Sequence, residues 1–246
     1  MSISKPAPAS SKRSAAFRHR IDPRKALLAA AICWTGFAFF AWAMPAGRTT
    51  QFDRIGLLFW RAQDLRPEGP TWLLEWVRDL TAMGGFLQLK LYTIFAVVAL
   101  FWLRCRREGM LLALTVLSAS LVNLGFKALF GRPRPEIVPH LTEAGGASFP
   151  SGHSFNAAST YIAFALAFAA LSHRGAVRHT LVASAMVLSL AIAWSRVWLG
   201  VHWPSDVMAG WLGGAGWAFL ASALLYRPAE TAIHAADELA GAERVT

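Results

Sequence analysis

Cysteine is nearly missing from this chain: two residues in 246, Cys33 inside an apolar run and Cys105 among arginines. Neither CxxC spacing nor a neighbouring histidine cluster accompanies them, which argues against a disulfide or a zinc site. Charge is scarce as well, at 15% of residues against 55% hydrophobic, and the mean hydropathy is +0.41. Soluble domains carry about a quarter charged residues, so this composition is that of a membrane protein. Acids are scarcer than bases: 14 Asp and Glu against 24 Lys and Arg give a formal net charge of +10. The surplus forms neither one basic patch nor an aromatic RNA-binding motif, so nucleic acid is not an expected partner. No internal repeat of useful length is visible.

Long apolar runs are what the chain does have. Six approach the length of a membrane span: about Ala26–Met44, Gly85–Leu103, Met110–Phe126, Phe155–Leu171, Thr180–Trp194 and Val207–Tyr226. The last is rich in glycine, which permits close helix approach. The expected fold is all-α: an integral membrane bundle of six transmembrane helices, with interfacial helices in the first outer loop. Residues 1–24 read as a basic cytoplasmic tail of disordered composition, 25–227 as the membrane domain and 228–246 as a short cytoplasmic tail. Ala41-Trp42-Ala43 mimics a signal-peptidase site, but the long, tryptophan-bearing run favours a retained helix.

Fourteen Lys and Arg fall on the side of the termini, which the positive-inside rule makes cytoplasmic. On the other side, the arginines of the first loop, about Pro45 to Gly84, are balanced by acids, Asp53 among them. Within that loop Leu73, Trp76, Val77 and Leu80 follow helical spacing, so an amphipathic helix anchored at the interface is expected. Lys90, near the outer end of the second span, reads as a snorkelling side chain. Lys127, Arg132, Arg134 and Arg196 are left on the outer side in two short connections. These four need a local reason.

Three short stretches break the apolar pattern, and this topology puts all of them on the outer face: "KALFGRPRP" from Lys127, "FPSGHS" from Phe149 and "SRVWLGVHWPSD" from Ser195. Lys127, Arg134 and Arg196 offer cationic donors suited to phosphate oxygens. Ser151 and Gly152 open a helix, where free N–H groups favour an anion and glycine admits close approach. Asp206 lies four residues past His202, with Pro204 placed to start a helix, so the carboxylate can fix the imidazole tautomer and leave one nitrogen to attack. His153 can protonate a leaving oxygen and then activate water. Such a set suits phosphoryl transfer to water through a phosphohistidine, in a cradle whose positive charge stabilises the transition state. Trp198, Val201 and Trp203 are expected to seat the third stretch in the membrane interface.

Together these stretches resemble the type 2 phosphatidic acid phosphatase family, the membrane branch of the lipid phosphatase and vanadium haloperoxidase superfamily. Its signature is K-x6-RP, PSGH and SR-x5-H-x3-D, and Lys127 with Arg134-Pro135, Pro150 to His153, and Ser195-Arg196 with His202 and Asp206 match every position. Arg132-Pro133 would put Gly125 at the lysine position, which leaves Arg132 an auxiliary charge at best. The resemblance implies His202 as nucleophile, Asp206 as its partner, His153 as acid and base, and Lys127, Arg134, Ser151, Gly152 and Arg196 as phosphate ligands. It implies no metal and no cofactor, and as partners the bilayer and a membrane lipid phosphate. The implied location is a bacterial inner membrane, with the site on the periplasmic face. Undecaprenyl diphosphate leads the implied substrates, ahead of phosphatidylglycerol phosphate, phosphatidic acid and lipid A phosphates. A phosphotransferase and a non-catalytic lipid-phosphate binder or transporter are the alternatives.

Overall fold

A computed structural model describes the backbone of residues 22–242 and the side chains of residues 22–224. The expected tail before residue 22 lies outside the described residues. Eight helices carry the described chain: α1 (Pro23–Ala43), α2 (Thr50–Leu58), α3 (Thr71–Ala82), α4 (Phe86–Trp102), α5 (Arg106–Phe130), α6 (Gly152–Ala169), α7 (Gly175–Trp198) and α8 (Pro204–Ala242). No strand is present among the described residues; one isolated bridge joins Arg61 to Pro67. Helix α1 starts where Asp22 caps it, its Oδ1 accepting the Arg24 N–H at 2.9 Å, with Pro23 in the first turn. Helix α8 runs on to Ala242.

Four helices are long and apolar enough to cross a membrane: α1, α5, α7 and α8 as far as Leu224. A fifth span results if α3 and α4, which meet at a 52° bend, count as one broken crossing. The fourth expected run lies in α6, which falls short of this measure. The reason is packing. Helix α6 is enclosed by α5, α7 and α8, and twelve of its eighteen residues are buried. A helix that meets protein rather than lipid can carry serine, threonine and asparagine. Close approach to α8 depends on small residues: a Cβ on Gly210 would lie 2.6 Å from the Ser151 carbonyl oxygen, and one on Gly214 would overlap the Phe155 backbone. Ala158, Ile162, Leu166, Ala215 and Phe219 fill this contact, and Ala30 and Cys33 of α1 close its far side.

The first outer loop is built rather than loose. Helix α3 forms where the apolar spacing predicts one, with Val77 and Thr81 buried while Trp72 and Trp76 stay exposed. Val77 packs on Trp198, Leu199 and Val201, so Trp198 and Val201 are core residues and not the interfacial anchors expected. Their aromatic and branched side chains fill the space under α3. Helix α2 likewise buries Asp53 and Leu57 and turns Phe52, Ile55 and Phe59 outward. Helix α7 runs beyond the expected Trp194 to Trp198, so Arg196 stands on its last turn rather than in a loop.

Candidate active site

Three segment ends meet at one end of the bundle: the end of α5 with the chain after it, the start of α6, and the α7–α8 connection. Helix α5 stops at Gly131, which adopts a left-handed φ of 56° and frees the chain for Arg132 to Pro135. Ser148 N–H then bonds the Arg132 carbonyl at 2.7 Å, and Ser151 N–H bonds the Asp206 carbonyl at 3.0 Å. These two bonds tie the three motif stretches together. The Ser151 N–H is thereby occupied, and its Oγ caps α6 by accepting from Ser154 N–H and Oγ–H. Gly152 and His153 hold the first-turn N–H groups that a helix leaves without internal acceptors.

His202 is 2% exposed at the centre. Its Nδ1 lies 3.4 Å from Asp206 Oδ2 and 3.3 Å from Ser148 Oγ, which itself donates to the same carboxylate oxygen. On the opposite side, Arg134 Nη1 is 3.1 Å from Nε2. A guanidinium can only donate, so Nε2 is the acceptor and the proton sits on Nδ1, facing Asp206. Burial pushes the His202 pKa down to about 4, against the opposing pull of Asp206. The ring is neutral at pH 7, with its Nε2 lone pair turned to the cations.

Those cations share one property. Lys127 Nζ donates to the Ala147 carbonyl at 2.5 Å. Arg134 donates to the carbonyls of Gly145 and Val201 at 2.7 and 2.8 Å, and burial lowers its pKa without costing it its charge. Arg196 Nη1 donates to Thr81 Oγ1 at 2.9 Å, and its buried Nε has no partner. All three are held by neutral oxygens, and among the described residues none pairs with a carboxylate. His153 lies in the field of Arg196, Arg134 and Lys127, so these cations and both histidines come together at this end of the bundle.

The two buried acids at this end of the bundle, Asp53 and Asp206, are engaged elsewhere. Arg132 Nη1 pairs with Asp206 Oδ1 at 2.5 Å and Nη2 with Asp53 Oδ2 at 2.7 Å. Asp53 also accepts from Ser205 N–H at 2.8 Å and Ser205 Oγ at 2.7 Å, while the Trp203 N–H bonds Asp206 Oδ2 at 3.0 Å. Positive charge at the pocket is thus left for an anion from outside.

A family model described as the PAP2 superfamily matches residues 108–229. A putative undecaprenyl-diphosphatase of Escherichia coli is 31% identical over 173 residues, covering 66% of this chain and 78% of that protein. The chain belongs to the PAP2 superfamily. Phosphatidylglycerophosphatase B of Bacillus subtilis is 31% identical over 142 residues, 56% of this chain and 68% of its own length. The crystal structure of a transmembrane PAP2 type phosphatidylglycerolphosphate phosphatase from Bacillus subtilis superposes with a TM-score of 0.71 at 27% identity. That match covers 79% of this chain and 96% of the other. With its apolar helices, the PAP2 chain is an integral membrane protein.

Sequence reasoning missed five parts of this PAP2 site. Arg132 is no spare charge but the clamp between two buried carboxylates. Asp53 was counted only as charge balance in the first loop, yet it is 1% exposed. Ser148 and Thr81 carried no signal, since a lone serine or threonine in an irregular stretch is unremarkable. Arg61 also escaped notice; its Nη2 donates to the Trp198 and Val197 carbonyls at 2.8 and 3.3 Å, capping the end of α7 beside Arg196.

Proposed function

We propose that this protein is a membrane phosphatase that removes the terminal phosphate of a lipid phosphate or diphosphate through a phosphohistidine on His202. The observation that carries the reading is the trio of Lys127, Arg134 and Arg196, held only by neutral acceptors around an unprotonated imidazole nitrogen. A phosphate supplies the missing negative charge, and these donors then stabilise the charge that builds on its oxygens. His202 Nε2 attacks phosphorus as the bond to the lipid oxygen breaks, and His153 gives that oxygen its proton. The imidazolium that forms keeps Nδ1–H on Asp206. His153 then takes a proton from water, whose oxygen attacks phosphorus and releases His202 with inorganic phosphate. Gly152 lets the α6 start approach the phosphate, and Ser151 holds that start in shape.

The pocket end is read as facing outward, with both termini cytoplasmic, because the basic surplus lies at the other end. In this reading α6 is the sixth span, shielded from lipid by its neighbours. Cations do the electrostatic work, so the reaction proceeds without a metal. The relatives' names point to lipids with a phosphorylated headgroup, and a pocket at helix ends meets such headgroups directly. Purified full-length protein and a His202→Ala variant, tested for phosphate release from lipid phosphates in detergent, decide the matter. Equal release by both would remove the nucleophile assignment.

A further inference from the structure

Lys90 is the fifth residue of α4 and is half-buried. Its Nζ donates to Ser120 Oγ on α5 at 3.0 Å and lies 5.1 Å from the Phe86 ring. Ser120, Asn123 and Lys127 follow one another along a single face of α5, and Gly152, Asn156 and Thr160 do the same on α6. Helices α4, α5 and α6 pack against one another, so a polar strip runs inward between them. The strip joins the phosphate cradle, since a Cβ on Gly152 would lie 3.4 Å from both Asn123 Oδ1 and Lys127 Cε. Three of its polar atoms are buried without a partner: Asn123 Nδ2, Asn156 Oδ1 and Thr160 Oγ1. Asn123 is 4% exposed and Thr160 fully buried.

A packing role does not explain this strip. Buried polar atoms are nearly always bonded, and a lysine among membrane helices is costly unless something anionic meets it. Seven residues separate Ser120 from Lys127, about 10 Å along the helix. The Lys90 ammonium thus meets the strip about two turns inward from the cradle, on the side where the tail of a lipid held there would lie. We propose that this strip is a subsite for a second phosphate of the substrate, with Lys90 as its counter-charge, Asn123 as a donor, and Asn156 and Thr160 for a neighbouring hydroxyl. The inference rests on the lipid phosphatase reading. A diphosphate and a phosphodiester joined to the terminal phosphate through a short carbon spacer share this chemistry.

The experiment uses full-length protein in detergent and three lipids: phosphatidic acid with one phosphate, a prenyl diphosphate, and phosphatidylglycerol phosphate. Lys90→Met should lower kcat/KM about tenfold or more on a lipid with two phosphates, as loss of a charged hydrogen bond does, and leave phosphatidic acid nearly unchanged. Lys90→Arg should restore most of the loss, and Asn123→Ala should repeat the selectivity in milder form. Whichever two-phosphate lipid suffers more identifies the linkage that the strip receives. An equal loss on all three lipids, or none on any, overturns the subsite while the phosphatase reading stands. Wild-type protein inert on all three overturns both.

Discussion

Asp53 is the sharpest test of how this site is held, because it lies far from the motifs in sequence and touches none of the cations assigned to phosphate. Its carboxylate accepts three bonds, from Arg132, the Ser205 N–H and the Ser205 hydroxyl, all within 2.8 Å. In Asp53→Ala all three donors lose their acceptor in a site where Ser205 is fully buried. Breaking one side of a buried ion pair costs about 3–5 kcal/mol, and each orphaned donor about 1–3 kcal/mol, with relaxation keeping the sum below a simple total. A loss of about 4 kcal/mol is expected, seen as a fall of roughly ten degrees in the melting temperature in detergent. The catalytic effect is separable. Without Asp53, Arg132 is free to close fully on Asp206 and draw it from His202, where the separation is already 3.4 Å. Supporting partners of this kind are worth about 10–100-fold in activity, and the loss should fall on kcat with KM little changed. Phosphate release below the melting temperature, corrected for folded protein, measures this. A lowered melting temperature with undiminished kcat would show that Asp53 only holds the fold, and wild-type values for both would refute the clamp itself.

The remaining predictions concern acid, packing and metal. Because burial holds His202 near 4 in the free protein, its protonation should depress kcat/KM only below about pH 5; an acid limb centred on the ordinary histidine value would contradict its burial. The same depression makes folding stability full above about pH 6.5, with on the order of 3 kcal/mol lost as pH falls towards 4, measurable as a falling melting temperature. Gly214→Ala should destabilise by about 1–3 kcal/mol or more, because its Cβ meets the Phe155 backbone and not a side chain that can swing away. Gly125→Ala, with open space around it, should be neutral or stabilise by up to about 1 kcal/mol in the same melt. A chelator should leave phosphate release unchanged; loss of activity restored by a divalent cation would overturn the metal-independent reaction.

What could be read in the sequence, and what could not, follows from the range of the interactions. The motif residues stood out because each is an ionisable group in an apolar chain, and such groups are expensive enough to need a reason. Helix α3 was legible from the spacing of Leu73, Trp76, Val77 and Leu80, although of these Val77 is buried and Trp76 is exposed. Arg132 was misjudged because motif register says which arginine matches a pattern, not which one a distant Asp53 selects. Trp198 and Val201 were assigned to the interface because aromatic residues near helix ends usually go there; only the fold shows α3 lying over them. The apolar test fails for α6 in a related way. Hydropathy measures exposure to lipid, and a helix wrapped by protein has no need to pass.

The same wrapping explains why the site can exist where it does. Irregular backbone near a membrane must find partners inside the protein, and here each motif stretch bonds another: Ser148 to Arg132, Ser151 to Asp206, Trp203 Nε1 to the Pro133 carbonyl at 3.1 Å. Arg132 closes the set by pairing Asp53 of α2 with Asp206 of α8 while lying 5.4 Å from the Trp203 ring. Asp53 and Asp206 are used to fix backbone and imidazole, while Lys127, Arg134 and Arg196 are left to carbonyls and a hydroxyl. A carboxylate beside any of them would steady the empty pocket and weaken its hold on an anion. The charge imbalance that makes the chain basic as a whole is thus reproduced locally, where a negatively charged ligand can correct it.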